Sequence, residues 1–422
     1  MLKAMLIMYG SHNKQSGVAS IFTVIFFALL ISIIVISFVT IVNQDQRQST
    51  NADLSASAYD SAQAGVEDAK RGLEVYNSEC KKVATPGINC DLYRQALSSN
   101  SCNAIVNDTT SNPAPRELAA KLGITADANE AKVETDTNDT SLDQAYTCLK
   151  VQLETDNYEQ SSGSNQNVLV QLKTVNNDSF SHIYINWYTK GVLDIPDTTT
   201  KPLQLPKDST AWGVNRPPVM RAQVIAVPRG STIDMDQVDR DTKTVFMYPS
   251  RSVAHDLITN TTSVNLTTAD VGFKTPKNGP REVYCDPNAD TDVYSCRASI
   301  ENFVPAGGGD FDYYLLVTPL YSGTDFEVRL TDGSLQPDGS NTIKFDGIEP
   351  RIDSTGRAND VFRRVVSRVI FSDESQTTNG GSGFDVTQGI CKGFELADDA
   401  TKWYIPQNCG KPASGSESLV GE

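Results

Sequence analysis

The residues best placed to do chemistry are oxygen donors at alternate positions. Asp286, Asn288, Asp290 and Asp292 lie between Cys285 and Cys296, a spacing that offers several oxygens to a hard cation such as Ca²⁺. The helix–loop–helix calcium pattern is not reproduced, because Thr291 stands where its turn glycine belongs and Arg297 where its bidentate glutamate belongs. A solvated acidic loop accounts for the same residues. Calcium is therefore the single candidate ligand ion, and no other cofactor is expected. Asp234, Asp236, Asp239 and Asp241 form a sparser second set. Gly307, Gly308 and Gly309 before Asp310 and Asp312 read as a flexible turn.

For acid–base or nucleophilic catalysis the sequence offers little. The chain has three histidines, His12, His182 and His255. Neither G-x-S-x-G nor H-E-x-x-H occurs around them. The phosphate-cradling patterns G-x-x-x-x-G-K-[ST] and G-x-G-x-x-G are also missing. A non-enzymatic role is the expectation. The formal charge of −16 disfavours nucleic acid as a partner.

Eight cysteines, Cys80, Cys90, Cys102, Cys148, Cys285, Cys296, Cys391 and Cys409, all follow residue 42. No C-x₂-C spacing points to zinc, and an even number beyond an apolar segment reads as disulfides on an exported side. Loop closure favours near neighbours, giving Cys80–Cys90, Cys285–Cys296 and Cys391–Cys409, with Cys102–Cys148 remaining. Eight cysteines allow many other connectivities.

The elements that must carry these groups begin at the N-terminus. Residues 18–42, VASIFTVIFFALLISIIVISFVTIV, contain no charge. As a helix they span ~37 Å, enough for a ~30 Å hydrocarbon core. Lys3 and Lys14 precede them and Asp45 follows, so the positive-inside rule places the N-terminus in the cytoplasm and the bulk outside. The apolar run exceeds that of a secretory signal, whose core is about 7–15 residues. Leu54, Ala58, Ala62, Val66, Ala69, Leu73 and Tyr76 then recur at steps of three and four, one helical face. A single helix over residues 18–76 is predicted, with small residues that allow a partner surface to approach closely. A plain membrane anchor with a spacer explains the same pattern.

A short basic leader ending in Gly17, followed by an apolar helix that turns amphipathic, resembles a type IV prepilin. AQAGVEDAK, residues 62–70, is similar to the A-E-A-G-x-x-x-A segment of minor pilins of the PilX kind, with Gln63 at the glutamate position. The apolar start is also similar to the K-type pseudopilin of type II secretion. The likeness covers residues 1–76. It implies prepilin-peptidase cleavage between Gly17 and Val18, an N-methylated Val18, and packing against other pilin-like subunits through the helix. Major pilins carry a glutamate five residues after the cut, where this chain has Phe22. That difference implies a minor or tip-associated subunit, displayed on a cell-surface filament for adhesion or assembly, and it leaves an anchored surface adhesin outside any filament as the alternative. An anchored ectoenzyme is a weaker third reading. No surface ligand is legible.

The remainder predicts an α+β fold in which the long helix leads into a large, disulfide-tied, β-rich extracytoplasmic domain with antiparallel sheet. Residues 77–144 form a disulfide-tied insertion with short helices, at 119–122 and 128–133. Residues 145–372 form the β-rich region, with two sub-sheets divided near 198–218 as one arrangement. Strands are expected at 146–153, 168–173, 182–188, 221–227 and 244–247, with an acidic loop at 232–241 and irregular chain at 252–280. Segments 313–317, 325–331, 341–345 and 360–371 are expected to make one antiparallel sheet, with a bulge near Gly347. Residues 373–422 form a C-terminal disulfide loop and tail.

Overall fold

A computed structural model of the chain describes residues 16–82, 89–99, 101–102, 113–124, 126–127, 130–133, 143–189, 195, 212–213, 215–229, 235–267, 270, 280–289, 293–305, 309–336 and 339–370. Helix α1, Ser16–Tyr76, is one uninterrupted element of 61 residues. It ends in a π-helical turn, Asn77–Lys82, then α2, Cys90–Ser98, and α3, Pro113–Leu122. The Asn89 side chain caps α2 by accepting from the Leu92 amide. The Cys80–Cys90 disulfide ties the turn to the start of α2.

Strands β1 (Ala126–Asp127), β2 (Glu130–Lys132), β3 (Gln144–Thr155), β15 (Phe345–Ala358) and β16 (Val361–Arg368) make an antiparallel sheet in the order β1-β2-β3-β15-β16. The second half of α1 lies across one face of it. The core there joins Val66, Ala69, Leu73 and Tyr76 of the helix to Tyr146, Leu149, Val151, Leu153 and Ile352 of the sheet, and α2 and α3 close its rim with Leu97 and Leu118. The expected helix at 128–133 is instead β2, whose Ala131 pairs with Tyr146.

Two further sheets stack on each other around a second core. One takes the order β10-β8-β7-β12-β5, from Val168–Gln171 (β5), Val219–Pro228 (β7), Lys243–Ser250 (β8), Arg281–Tyr284 (β10) and Phe311–Leu320 (β12). The other runs β14-β13-β6-β11-β9, with β4 also on β13. It is built from Tyr158–Ser162 (β4), His182–Trp187 (β6), Thr262–Asn265 (β9), Cys296–Glu301 (β11), Thr324–Thr331 (β13) and Thr342–Ile343 (β14). Trp187, Ile185 and Ile183 of β6 meet Ala222 and Val224 of β7 and Leu315 and Val317 of β12 in this core. The predicted alternation of Ile183, Ile185 and Trp187 is the one that packs, all three with no exposed surface. Pairing is antiparallel except for β10 on β8 and β9 on β11.

Four expectations are corrected. The last segments do not share a sheet: β12, β13 and β16 fall in three different ones, because β15 carries the chain out of the sandwich and back to the helix-bearing sheet. The acidic loop at 232–241 contains helix α4, Met235–Asp241, whose Val238 is buried against Ile225 and Leu316. The irregular stretch at 252–280 contains β9, paired in parallel with β11. Strand β15, the longest of all, is absent from the expected set because Gly347, Pro350 and Gly356 read as strand breakers. The expected bulge does occur: the register of β15 on β3 shifts between Asp346 and Arg351, and Gly347 sits there at φ +65°.

Candidate functional site: the divided helix and the sheet that grips it

Helix α1 has two halves with opposite surroundings. From Ile21 to Ile41 its large side chains are open, with Phe22 at 69% exposure. By length and composition this is one helix apolar enough to cross a membrane. Ser32 and Thr40 return their hydroxyls to the carbonyls of Ala28 and Ile36, so these polar groups are satisfied inside the helix. The scissile bond implied by the prepilin likeness, Gly17–Val18, falls in the first turn of α1.

The second half is gripped by the chain itself. Ala58, Ala62 and Ala69 have no exposed surface, and Val66 and Leu73 are buried with them. The expected stripe of small residues therefore faces this chain's own sheet, with Leu54 half-buried at its margin. Two glycines permit the contact. A Cβ on Gly356 of β15 would overlap Ala58 O and Ala62 N, both backbone atoms, while one on Gly65 would meet the Ser354 hydroxyl and come within 3.0 Å of the Tyr146 ring. Side chains then fix the register. Tyr146 donates its hydroxyl to Asp68 Oδ2 at 2.9 Å, Asp68 pairs with Arg71, and Arg363 Nε donates to Ser55 Oγ at 2.7 Å. Burial, with the Asp68 carboxylate beside it, pushes the Tyr146 hydroxyl well above its ordinary pKa, so it stays a donor.

A charged cluster closes the end of the helix. Buried Asp346 is approached by Lys81 at 3.5 Å, Arg94 at 3.5 Å and Lys173 at 3.4 Å, and Arg94 reaches Glu154 at 2.7 Å. Burial lowers the Lys81 pKa against the pull of Asp346. Four separate segments meet at that one carboxylate.

A second polar network joins the helix-bearing sheet to the sandwich. Arg368 of β16 donates to Glu349 Oε2 at 3.0 Å and to Asn157 Oδ1 at 3.1 Å, and pairs with Glu159 at 3.0 Å. The Glu159 amide also donates to Glu349 Oε2, at 2.7 Å. Asn157 Nδ2 donates on to Glu327 Oε1 at 2.5 Å, an oxygen shared with Arg329 Nε, while Asn186 Nδ2 donates to Glu327 Oε2 at 2.8 Å. Burial raises the Glu349 pKa against the opposing Glu159 amide and Arg368. Burial also disfavours charge on Glu327, yet the bonds from Arg329 and Asn157 outweigh it and hold that carboxyl below its ordinary value.

Three expected disulfides form, Cys80–Cys90, Cys102–Cys148 and Cys285–Cys296. The expected Cys391–Cys409 pair lies outside the described residues. Of the calcium candidates, Asp286 accepts from the Asn288 amide at 2.9 Å and from Asn260 Nδ2 at 3.4 Å, while Asp290 and Asp292 lie outside the described residues. Among the described residues no group of three or more His, Cys, Asp or Glu is placed to hold a metal. His255 stacks on Tyr284 with ring centroids 3.5 Å apart, and Asp256 spends its carboxylate on the amides of Ile258 and Thr259. His182 contacts Ser181 Oγ at 2.8 Å, but that hydroxyl already accepts from the Gly333 amide at 2.7 Å. The other ring nitrogen of His182, Nε2, lies 3.6 Å from Glu301 Oε1.

Residues not foreseen are Gly356, Ser354, Glu349 and Arg368. An isolated glycine within a strand marks close backbone approach, so Gly356 carried a signal that recognising β15 as a strand would have released. Comparison with protein-family models, with curated proteins and with solved structures gives no match.

Proposed function

We propose that this chain is a minor subunit of a type IV pilus or related pilin-like filament, built into a membrane by α1 and displaying the β-rich body at the cell surface. The observation that carries the reading is the division of α1: an exposed apolar half that needs lipid or neighbouring helices, continuous with a half whose small-residue stripe is occupied by its own sheet. With that stripe occupied, contacts to other pilin-like subunits fall on residues 21–53. Prepilin peptidase cuts Gly17–Val18, the N-terminal amine of Val18 is methylated, and the body lies outside the cytoplasmic membrane. Phe22 in place of a carboxylate supports a minor or tip-associated position over a bulk one.

The mass of the N-terminal peptide from the surface-exposed protein tests this. The expected product begins at methylated Val18. An intact leader, or a cut near Ala58, overturns the filament reading. An intact leader supports instead a single-pass surface adhesin outside any filament, a reading that Phe22 leaves open.

A further inference from the structure

One face of the sheet built around β7 carries a cation that the fold leaves unmatched. Met220, Ala222 and Val224 of β7 point into the sandwich core, so Val219, Arg221, Gln223 and Ile225 line the opposite side. Two small apolar clusters cover the ends of that side. Trp212 packs there with Val219, Phe246 and Tyr248, and Val238 of α4 packs with Ile225 and Leu316. Arg221 lies between the clusters, opposite Phe246 on β8 and Thr318 on β12. Gln223, Thr244 and Thr318 around it are buried, and Arg221 is itself only partly open to solvent.

None of these neighbours is a carboxylate. Among the described residues the guanidinium makes one hydrogen bond, from Nη2 to Gln223 Oε1, and its buried Nε has no partner. A guanidinium offers five N–H donors, and burying one without a counter-charge is costly. Burial accordingly lowers the Arg221 pKa, with no carboxylate opposing it. By contrast, Arg94, Arg281, Arg329, Arg357 and Arg368 each meet a carboxylate. The side chains beside Arg221 are also fixed in advance. Gln223 Nε2 donates to Thr244 Oγ1 at 3.0 Å, which turns the amide oxygen to Arg221, and Thr318 Oγ1 donates to Asn167 Oδ1 at 2.6 Å. The guanidinium is thereby oriented, with donors to spare and no described acceptor of opposite charge.

We propose that Arg221 anchors a binding site for a small ligand bearing an oxyanion, a carboxylate or a phosphoryl group, which a guanidinium holds through paired N–H donors. The proposal concerns the sandwich alone and is independent of the filament assignment. Acetate and inorganic phosphate probe it. Each is titrated into the full chain in detergent against chloride at matched ionic strength, with calorimetric heat and the thermal midpoint as readouts. The parent should bind one or both saturably in the millimolar range. Arg221→Gln should weaken that binding by about tenfold or more. Thr318→Asp keeps the arginine and sets a carboxylate opposite it, so it should compete with the added anion and weaken binding likewise. Tighter binding of acetate assigns a carboxylate and tighter binding of phosphate a phosphoryl group, and either supports the proposal. No saturable response in the parent overturns it, as does a response that either variant leaves unchanged. A midpoint that climbs without saturating, in parent and variants alike, is general salt stabilisation and overturns it as well.

Discussion

Gly356 of β15 and Ala62 of α1 meet backbone to backbone, with no room between them for a single added methyl group. The neighbouring Ala58 carbonyl borders the same glycine, so nothing at this crossing can yield by changing a rotamer. The helix is thus held to the sheet at a distance set by glycine and alanine rather than by large side chains.

Gly356→Val should therefore lift α1 from β15 and cost about 3 kcal/mol, the upper end of core overpacking. Chemical denaturation of the detergent-solubilised chain measures the loss, and protease should cut earlier within residues 54–76. Leu257→Ser, at a position 85% exposed, is the control and should stay within ~0.5 kcal/mol of the parent.

The junction network should make stability depend on pH in two opposite ways. Glu349 has a raised pKa, so its contribution is complete below the ordinary glutamate value of 4.5 and is lost as pH rises through the folded value. Glu327 has a lowered pKa, so its contribution is present above 4.5 and is lost as pH falls through the folded value. Glu349→Gln should flatten the stability profile above 4.5, while Glu327→Gln should be most harmful near neutrality and lose its effect in acid. Thermal midpoints of both variants across pH decide this. A Glu349→Gln profile with the parent's slope would contradict it.

Arg368→Ala should cost on the order of 2 kcal/mol, between an exposed pair and a fully buried one, because Glu349 keeps its burial and loses its cation. The Arg368→Ala, Glu349→Gln double variant should recover part of that loss. A double-mutant cycle on the denaturation midpoints gives the coupling directly.

Of the described disulfides, Cys102–Cys148 closes the longest loop, 46 residues, against 11 for Cys285–Cys296. Chain entropy predicts losses of ~4 and ~3 kcal/mol respectively when the pairs are replaced by serine. Unfolding of the two double-serine variants under matched conditions tests that order.

The sequence alone was sufficient for the elements whose signals are local. The charge-free run at 18–42 and the three-and-four spacing from Leu54 to Tyr76 are readable because a helix repeats every few residues, and α1 has those bounds within two residues. The strands at 182–188 and 325–331 were legible from the alternation of Ile183, Ile185 and Trp187 and of Phe326, Val328 and Leu330, all of which are buried, whereas the burial of Tyr184 and Glu327 between them comes from the packing on the other face. Near-neighbour disulfide pairing followed from loop closure, which is also local.

Tertiary structure decided what the helical stripe touches. Small residues at Ala58, Ala62 and Ala69 call for a close partner without naming it, and β15, more than 280 positions later in the chain, supplies it. That strand carries breakers at Gly347, Pro350 and Gly356, each of which is explained only by a non-local contact or bulge. Likewise Arg368 and Glu349 are ordinary charges in sequence, and they become a junction only when β15, β16 and β4 are brought together. Periodicity fixes which face of an element is apolar, but long-range packing alone chooses the surface that covers it.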